Sequence, residues 1–172
     1  KTNFLPDIPM GKPAMLEMVN IMLYSGVFDR FPDLRIGLIE SGVGWVAFVA
    51  EYMDNIYESQ RHWLKLDLEM KPSDYFRRQC WLGSSILSRP EMEMRHLIGM
   101  DKMMWGWDYP HIEADDWLSP RENLRTLLKG VPEAEARAFL AGNAIAAYGL
   151  DDARLRPIAG RIGPALGAII SD

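Results

Sequence analysis

Three short apolar runs, separated by segments of helical period, are the feature that most narrows what this chain can fold into. Arg35-Ile36-Gly37-Leu38-Ile39-Glu40-Ser41, Cys80-Trp81-Leu82-Gly83-Ser84-Ser85-Ile86 and Lys102-Met103-Met104-Trp105-Gly106-Trp107-Asp108 are apolar at successive positions, not merely at alternate ones. Such strands belong in a sheet covered on both faces, and connections that contain helices suit parallel pairing. The class is therefore α/β. Closing a (β/α)8 barrel takes eight strands and about 250 residues. With 172 residues, the sheet is either open or a portion of a barrel.

The segments between the runs read as helices. Residues 1–13, with Pro6, Pro9, Gly11 and Pro13, show no period and read as a loop. From Ala14 a helical pattern carries Met15, Met18, Val19 and Met22 towards Phe28, and Pro32 ends it. Trp45, Phe48, Val49, Tyr52, Met53 and Ile56 recur at the spacing of one helix face and predict an amphipathic helix to about His62. A short helix follows Pro72. Ser88, three residues before Glu91, has capping-box spacing, and Ser119-Pro120-Arg121-Glu122 repeats it. A last helix runs from Pro132 past Phe139 to Tyr148 and stops at Gly149. Residues 1–150 then form one body, and residues 151–172 a tail packing on it.

Charge and cysteine content limit the partners. A net charge of -5 argues against nucleic acid or an anionic membrane surface as the main partner, because neither attracts an acidic protein at long range. Cys80 is the single cysteine, so there is no internal disulfide and no cysteine-rich zinc site, and a reducing cytoplasm fits. No apolar run approaches the roughly 20 residues that span a bilayer. Lys1-Thr2-Asn3 offers neither an initiating methionine nor a secretory signal, so the chain is expected to begin partway through a longer protein.

Two constellations could carry chemistry. Gly42-Val43-Gly44-Trp45-Val46-Ala47 satisfies G-x-G-x-x-G/A between a strand and a helix, with Asp67 further on. Its glycines would let a pyrophosphate reach the helix N-terminus. Against this, the helix leaves little room for a strand before Asp67, and Trp45 is bulky where phosphate would approach, so a tight strand-to-helix turn is favoured. The second is Trp105-Gly106-Trp107-Asp108-Tyr109-Pro110-His111. It sets a carboxylate at the end of a strand, where parallel α/β proteins place their chemistry, and an imidazole three residues on. By residue types alone, a turn interaction competes with catalysis there. His62 and His96 sit in helical contexts and read as surface or packing residues, and Arg77 and Arg78 suit either an anion clamp or a solvated helix face.

A distributed resemblance adds more than either motif. Residues 25–35, Ile39-Glu40-Ser41-Gly42-Val43-Gly44-Trp45, residues 72–78, Met104-Trp105-Gly106-Trp107-Asp108-Tyr109-Pro110-His111, Gly142-Asn143-Ala144 and Tyr148-Gly149-Leu150 together resemble the C-terminal half of the amidohydrolase-related family. That family holds metal-dependent hydrolases and decarboxylases similar to aminocarboxymuconate semialdehyde decarboxylase. The resemblance implies the C-terminal portion of a (β/α)8 TIM-like barrel over residues 1–150. It also implies a divalent metal, commonly zinc, and a small, carboxylated substrate, with a homo-oligomer possible.

By the same resemblance Asp108 is the aspartate that ends the last barrel strand, binds the metal and handles a proton, while His111 orients it. Glu40 stands where the better-known decarboxylases carry a catalytic histidine, which weakens a decarboxylase mechanism. The family's opening His-x-His pair has no counterpart, so this chain alone is expected to hold metal poorly. The competing readings are a non-catalytic barrel remnant, or assembly piece, completed by a partner chain, and, third, a dinucleotide-binding fold.

Overall fold

The computed structural model describes residues 7–85, 87–111 and 120–170. Helix α1 (Asp7–Tyr24) and the single turn α2 (Val27–Arg30) lead into strand β1 (Ile36–Ile39). Helix α3 (Gly44–Leu64), helix α4 (Pro72–Gln79) and strand β2 (Cys80–Ser84) follow. Two short helices, α5 (Arg89–Glu93) and α6 (Arg95–Ile98), precede strand β3 (Met103–Trp105). Helix α7 (Pro120–Leu128) comes next. Helices α8 (Glu133–Arg137) and α9 (Asn143–Tyr148) are joined through a wider π turn over Ala138–Gly142, and α10 (Asp152–Ile162) lies near the end.

The strands form one parallel sheet in the order β1-β2-β3, with Ile39 opposite Gly83 and Ser84 opposite Trp105. One face carries Leu38, Cys80, Leu82 and Met103, which join Val46, Val49, Met53 and Tyr57 of α3 in the main core. The other face carries Gly37, Ile39, Trp81, Gly83 and Met104. Trp81 is buried there, with the Lys102 ammonium 4.1 Å and the Arg35 guanidinium 5.8 Å from its ring centre. Ile39 on the same face remains 46% exposed. Three parallel strands with surrounding helices, whose second face is exposed at Gly37 and Ile39 among the described residues, are a portion of a barrel.

Polar side chains fix the connections between layers. Gln79, buried at the end of α4, donates to the carbonyls of Phe31 and Leu34 ahead of β1. Asp54 of α3 accepts from the Ser73 N–H and hydroxyl and so caps α4. The Tyr75 hydroxyl bonds the Asp29 carboxylate, and burial first, then that bond, pushes its pKa up to about 12. The Asn143 amide, at the start of α9, donates to the carbonyls of Met100 and Met103 at 2.8 and 2.7 Å and locks α9 to the start of β3.

Three expectations need correction. The loop expected over residues 1–13 is helical from Asp7. Pro9 falls in the first turn, where its missing N–H costs nothing and its φ already suits a helix. The apolar face expected for α3 is wider than the face it buries: Val46, Val49, Ala50, Met53 and Tyr57 are inside, whereas Phe48, Tyr52 and Ile56 are 77%, 59% and 39% exposed. The third strand stops at Trp105, so Trp107 follows no strand alternation and instead sits with its ring centre 6.1 Å from that of Trp105. The capping box expected at Ser119 lies outside the described residues.

In the tail, α10 buries no residue, while Ile169 reaches the core and the Ala168 carbonyl accepts from Arg125 Nε at 2.9 Å. Among the described residues, no helix is long and apolar enough to cross a membrane.

Asn143 supports a stability prediction. Asn143→Ala removes two donors from buried carbonyls, and unsatisfied buried groups cost about 1–3 kcal/mol. Thermal or urea unfolding of Asn143→Ala is expected to show a loss of that size, and a change below about 0.5 kcal/mol, the range of an ordinary surface substitution, would refute the role.

Candidate functional site

Parallel strands all leave the sheet at the same end, so whatever follows β1, β2 and β3 must gather there. Glu40 follows β1, Ser84 ends β2 with Ser85 just after it, and Gly106 and Asp108 follow β3. All five line one cleft of about 420 Å³ with Ile39, Gly83, Met104, Trp105, Ala144 and Tyr148, a volume in the usual range for a small-molecule site. Gly83 keeps the floor low. A Cβ there would come within 2.8 Å of the Ile39 side chain, so any side chain would narrow the space between β1 and β2.

The two acidic residues of the cleft share an uncommon backbone state. Glu40 has φ 59° and Asp108 φ 55°, in the left-handed region that residues other than glycine seldom occupy. Such conformations cost on the order of 1–3 kcal/mol and gather where a side chain must be aimed. Glu40 is fixed by its N–H, which donates to the Gly83 carbonyl at 2.9 Å. Asp108 opens a tight turn closed by the His111 N–H on its carbonyl at 2.7 Å, and His111 Nδ1 lies 3.5 Å from Asp108 Oδ2. Asp108 is thus partly exposed at the cleft with the imidazole beside it, the juxtaposition expected from the sequence.

Glu91 accounts for the glycine-rich turn. Its Oε1 accepts from the N–H groups of Gly44 at 3.0 Å and Val43 at 3.4 Å, at the start of α3. Its Oε2 accepts from the Ser88 N–H at 2.9 Å and hydroxyl at 2.8 Å, which completes the capping box of α5. A Cβ on Gly44 would meet the Glu91 side chain at 3.2 Å, which is why glycine stands there. The anion site of the helix N-terminus is therefore filled by the protein's own carboxylate, and a pyrophosphate would meet negative charge. No strand lies between α3 and Asp67 either. The tight-turn reading of residues 42–47 holds, and the geometry opposes the dinucleotide reading.

The other candidates divide plainly. Arg78 donates to the Phe28 carbonyl and to Gln79 and lies over the Tyr75 ring, so it is structural. Arg77 pairs with Asp74 and Ser73. His62 is exposed on α3, and His96 is exposed with Glu135 at 3.8 Å. Burial pushes the Cys80 thiol up to about 12, which removes it as a nucleophile. Sequence reasoning missed Ser84, Ser85 and Tyr148 as cleft residues. A strand end opposite Glu40 and Asp108 was the signal for the serines, whereas nothing local marked Tyr148.

The described residues do not by themselves make a metal centre. No three histidine, cysteine, aspartate or glutamate side chains among them come together, and a divalent transition metal takes three protein ligands or more. Asp108 remains the one proposed ligand, with no completed donor set around it.

Comparisons with known proteins agree with this architecture. The family model described as Amidohydrolase matches residues 9–150. A solved 5-carboxyvanillate decarboxylase from Sphingomonas paucimobilis is 26% identical with a TM-score of 0.62, over 77% of this chain and 38% of its own. An amidohydrolase from Mycobacterium avium subsp. paratuberculosis K-10 is 26% identical with a TM-score of 0.66, over 79% of this chain and 33% of its own. The chain thus spans between a third and two fifths of the length of those structures. No curated protein matches the sequence significantly.

The Glu91 bridge has a pH signature. Burial alone would raise its pKa, but the bonds from Ser88, Gly44 and Val43 outweigh burial and hold it below the ordinary carboxylate value of 4.5. A depressed folded pKa contributes stability that is present above the unfolded value and lost as pH falls through the folded one. Glu91→Gln is expected to cost about 1–2 kcal/mol at neutral pH, given the strength of hydrogen bonds to a charged acceptor. Its deficit should begin to shrink as pH falls below the ordinary carboxylate value of 4.5 and close as pH passes through the depressed folded pKa. A deficit independent of pH in denaturant titrations would show that the charge contributes nothing.

Proposed function

Because this chain belongs to the amidohydrolase family, whose model matches residues 9–150, we propose that it forms the acidic wall of the catalytic cleft of a hydrolase or carboxy-lyase. The substrate is a small, carboxylated molecule, in line with the name of the decarboxylase it resembles. The observation that carries this reading is that Glu40, directly after β1, and Asp108, three residues beyond β3, are both in left-handed backbone and both line one cleft.

The roles follow from chemistry. A half-exposed carboxylate next to an imidazole can take a proton from an attacking group and return it to a leaving group. Asp108 does this, and His111, 3.5 Å away, orients the carboxylate. Glu40 holds the substrate from the opposite side of the cleft. The hydroxyls of Ser84 and Ser85 supply hydrogen bonds to its polar groups, and Trp105, Met104 and Tyr148 supply its apolar walls.

The family typically employs a divalent metal. The donor set among the described residues does not hold one. None of the described side chains lining the cleft is cationic, so a carboxylated substrate needs positive charge from outside this set of residues.

A second reading, a barrel piece without chemistry of its own, is favoured by the open sheet face at Ile39. The two readings separate on one substitution made in the protein that carries this chain. Asp108→Asn keeps the size and hydrogen-bonding shape of the side chain but cannot accept the proton. Turnover of small carboxylated substrates is expected to fall about 10²- to 10⁴-fold, the usual contribution of general acid–base catalysis, with the unfolding midpoint unchanged. Full activity in Asp108→Asn would overturn the assignment, and no turnover in the unsubstituted protein would favour the remnant.

A further inference from the structure

Glu91 is not among the residues that line the cleft, yet two of the cleft's three loops are tied to it. Its Oε1 holds the N–H of Gly44, and the residues between Gly44 and Glu40, which are Ser41, Gly42 and Val43, are all buried. They form a stiff link. The Ser41 hydroxyl lies 3.2 and 3.0 Å from the carbonyls of Leu38 and Gly42, the Trp45 indole N–H donates to the Gly42 carbonyl, and Gly42 turns in left-handed backbone at φ 65°. A shift of Gly44 therefore passes to Glu40.

On the other side, Oε2 holds the N–H and hydroxyl of Ser88, which follows the end of β2 at Ser84, and Leu87 beside it is buried in the core. The third loop is separate. Among the described residues, none of the bonds that the Glu91 carboxylate accepts comes from the segment after β3, where Asp108 is held by its own turn with His111.

We propose that Glu91 is a positioning residue for substrate binding: from outside the cleft it sets Glu40 against Ser84 and Ser85, and it leaves the proton carrier Asp108 untouched. The proposal rests on the reading of the cleft given above, in which Glu40 and the serines hold the substrate. Their spacing matters because hydrogen bonds weaken steeply once donor and acceptor leave a narrow range of distance and angle. Turns fixed in advance also leave less to be ordered when the substrate arrives. Glu91→Gln keeps the shape of the side chain but sets an amide NH2 against one of its two groups of donors, so one turn is released while the other stays bound.

The test is made in the protein that carries this chain, with whichever of a panel of small mono- and dicarboxylic acids the unsubstituted protein turns over. In Glu91→Gln, KM is expected to rise about tenfold, the worth of one displaced hydrogen bond. Meanwhile kcat should stay within about threefold and keep its pH profile, the pattern of lost binding and not of lost chemistry. Ser88→Ala, a milder change that removes only the hydroxyl bond to Oε2, is expected to raise KM by a smaller factor. Gln79→Ala controls for lost stability, since it removes buried bonds ahead of β1, at the far end of that strand from Glu40, and should leave KM unchanged.

Hydrogen exchange supplies a readout that needs no substrate. The Glu40 amide, bonded to the Gly83 carbonyl and not to Glu91, should exchange about tenfold faster in Glu91→Gln at neutral pH, while the His111 amide keeps its rate. An unchanged KM, an unchanged Glu40 exchange rate, a fall in kcat as large as the rise in KM, or the same KM shift in Gln79→Ala would each overturn the proposal alone. Absence of turnover in the unsubstituted protein would overturn the reading of the cleft and the proposal with it.

Discussion

Parallel pairing of β1, β2 and β3 is the constraint on which the rest depends. In an antiparallel sheet, successive strand ends would point to opposite sides and no cleft could collect them. Here the register that sets Ile39 beside Gly83 and Ser84 beside Trp105 delivers Glu40, the two serines and the Gly106–Asp108 segment to one end. Helices on one face supply the rigidity, through a core in which Leu38, Leu82 and Met103 are almost wholly buried. The loops supply the chemistry, and the cost of aiming it is visible in the two left-handed acidic residues.

Glu91 joins two of those loops. One carboxylate terminates the N-terminus of α3 and that of α5 at once, so the turn after β1 and the turn after β2 move as one. The charge satisfies donors that helices cannot satisfy internally. It also explains why a glycine pair that looks like a phosphate cradle is not one: the space that Gly44 opens is taken by a side chain from elsewhere in the chain.

Much of this could be read from the residues. The three apolar runs became the three strands, and their continuous apolar character reported a sheet with two faces to cover. Ser88 and Glu91 announced their capping box, and Asp108 and His111 lie side by side although the strand before them stops at Trp105. What could not be read has physical causes. Periodicity reports that Phe48, Tyr52 and Ile56 share a side of α3, but not whether the core is wide enough to reach them, and it is not. Proline content hid the first turns of α1, because its signal is the same at a helix start and in a loop. Tyr148 reaches the cleft only because Asn143 pins α9 to the start of β3, a contact 40 residues distant in sequence. The second ligand of the Glu91 carboxylate, the α3 N-terminus, lies 47 residues away and left no local trace.

The central claim is that the carboxylates of Glu40 and Asp108 act on one substrate in one cleft. A double-mutant cycle on turnover by the protein that carries this chain, with Glu40→Gln, Asp108→Asn and both together, tests it most directly. Residues that share a bound molecule couple by roughly 0.5–3 kcal/mol, whereas independent ones add. The account predicts that the double variant is measurably better than the product of the two single losses; strict additivity would place the two groups in separate sites and contradict it.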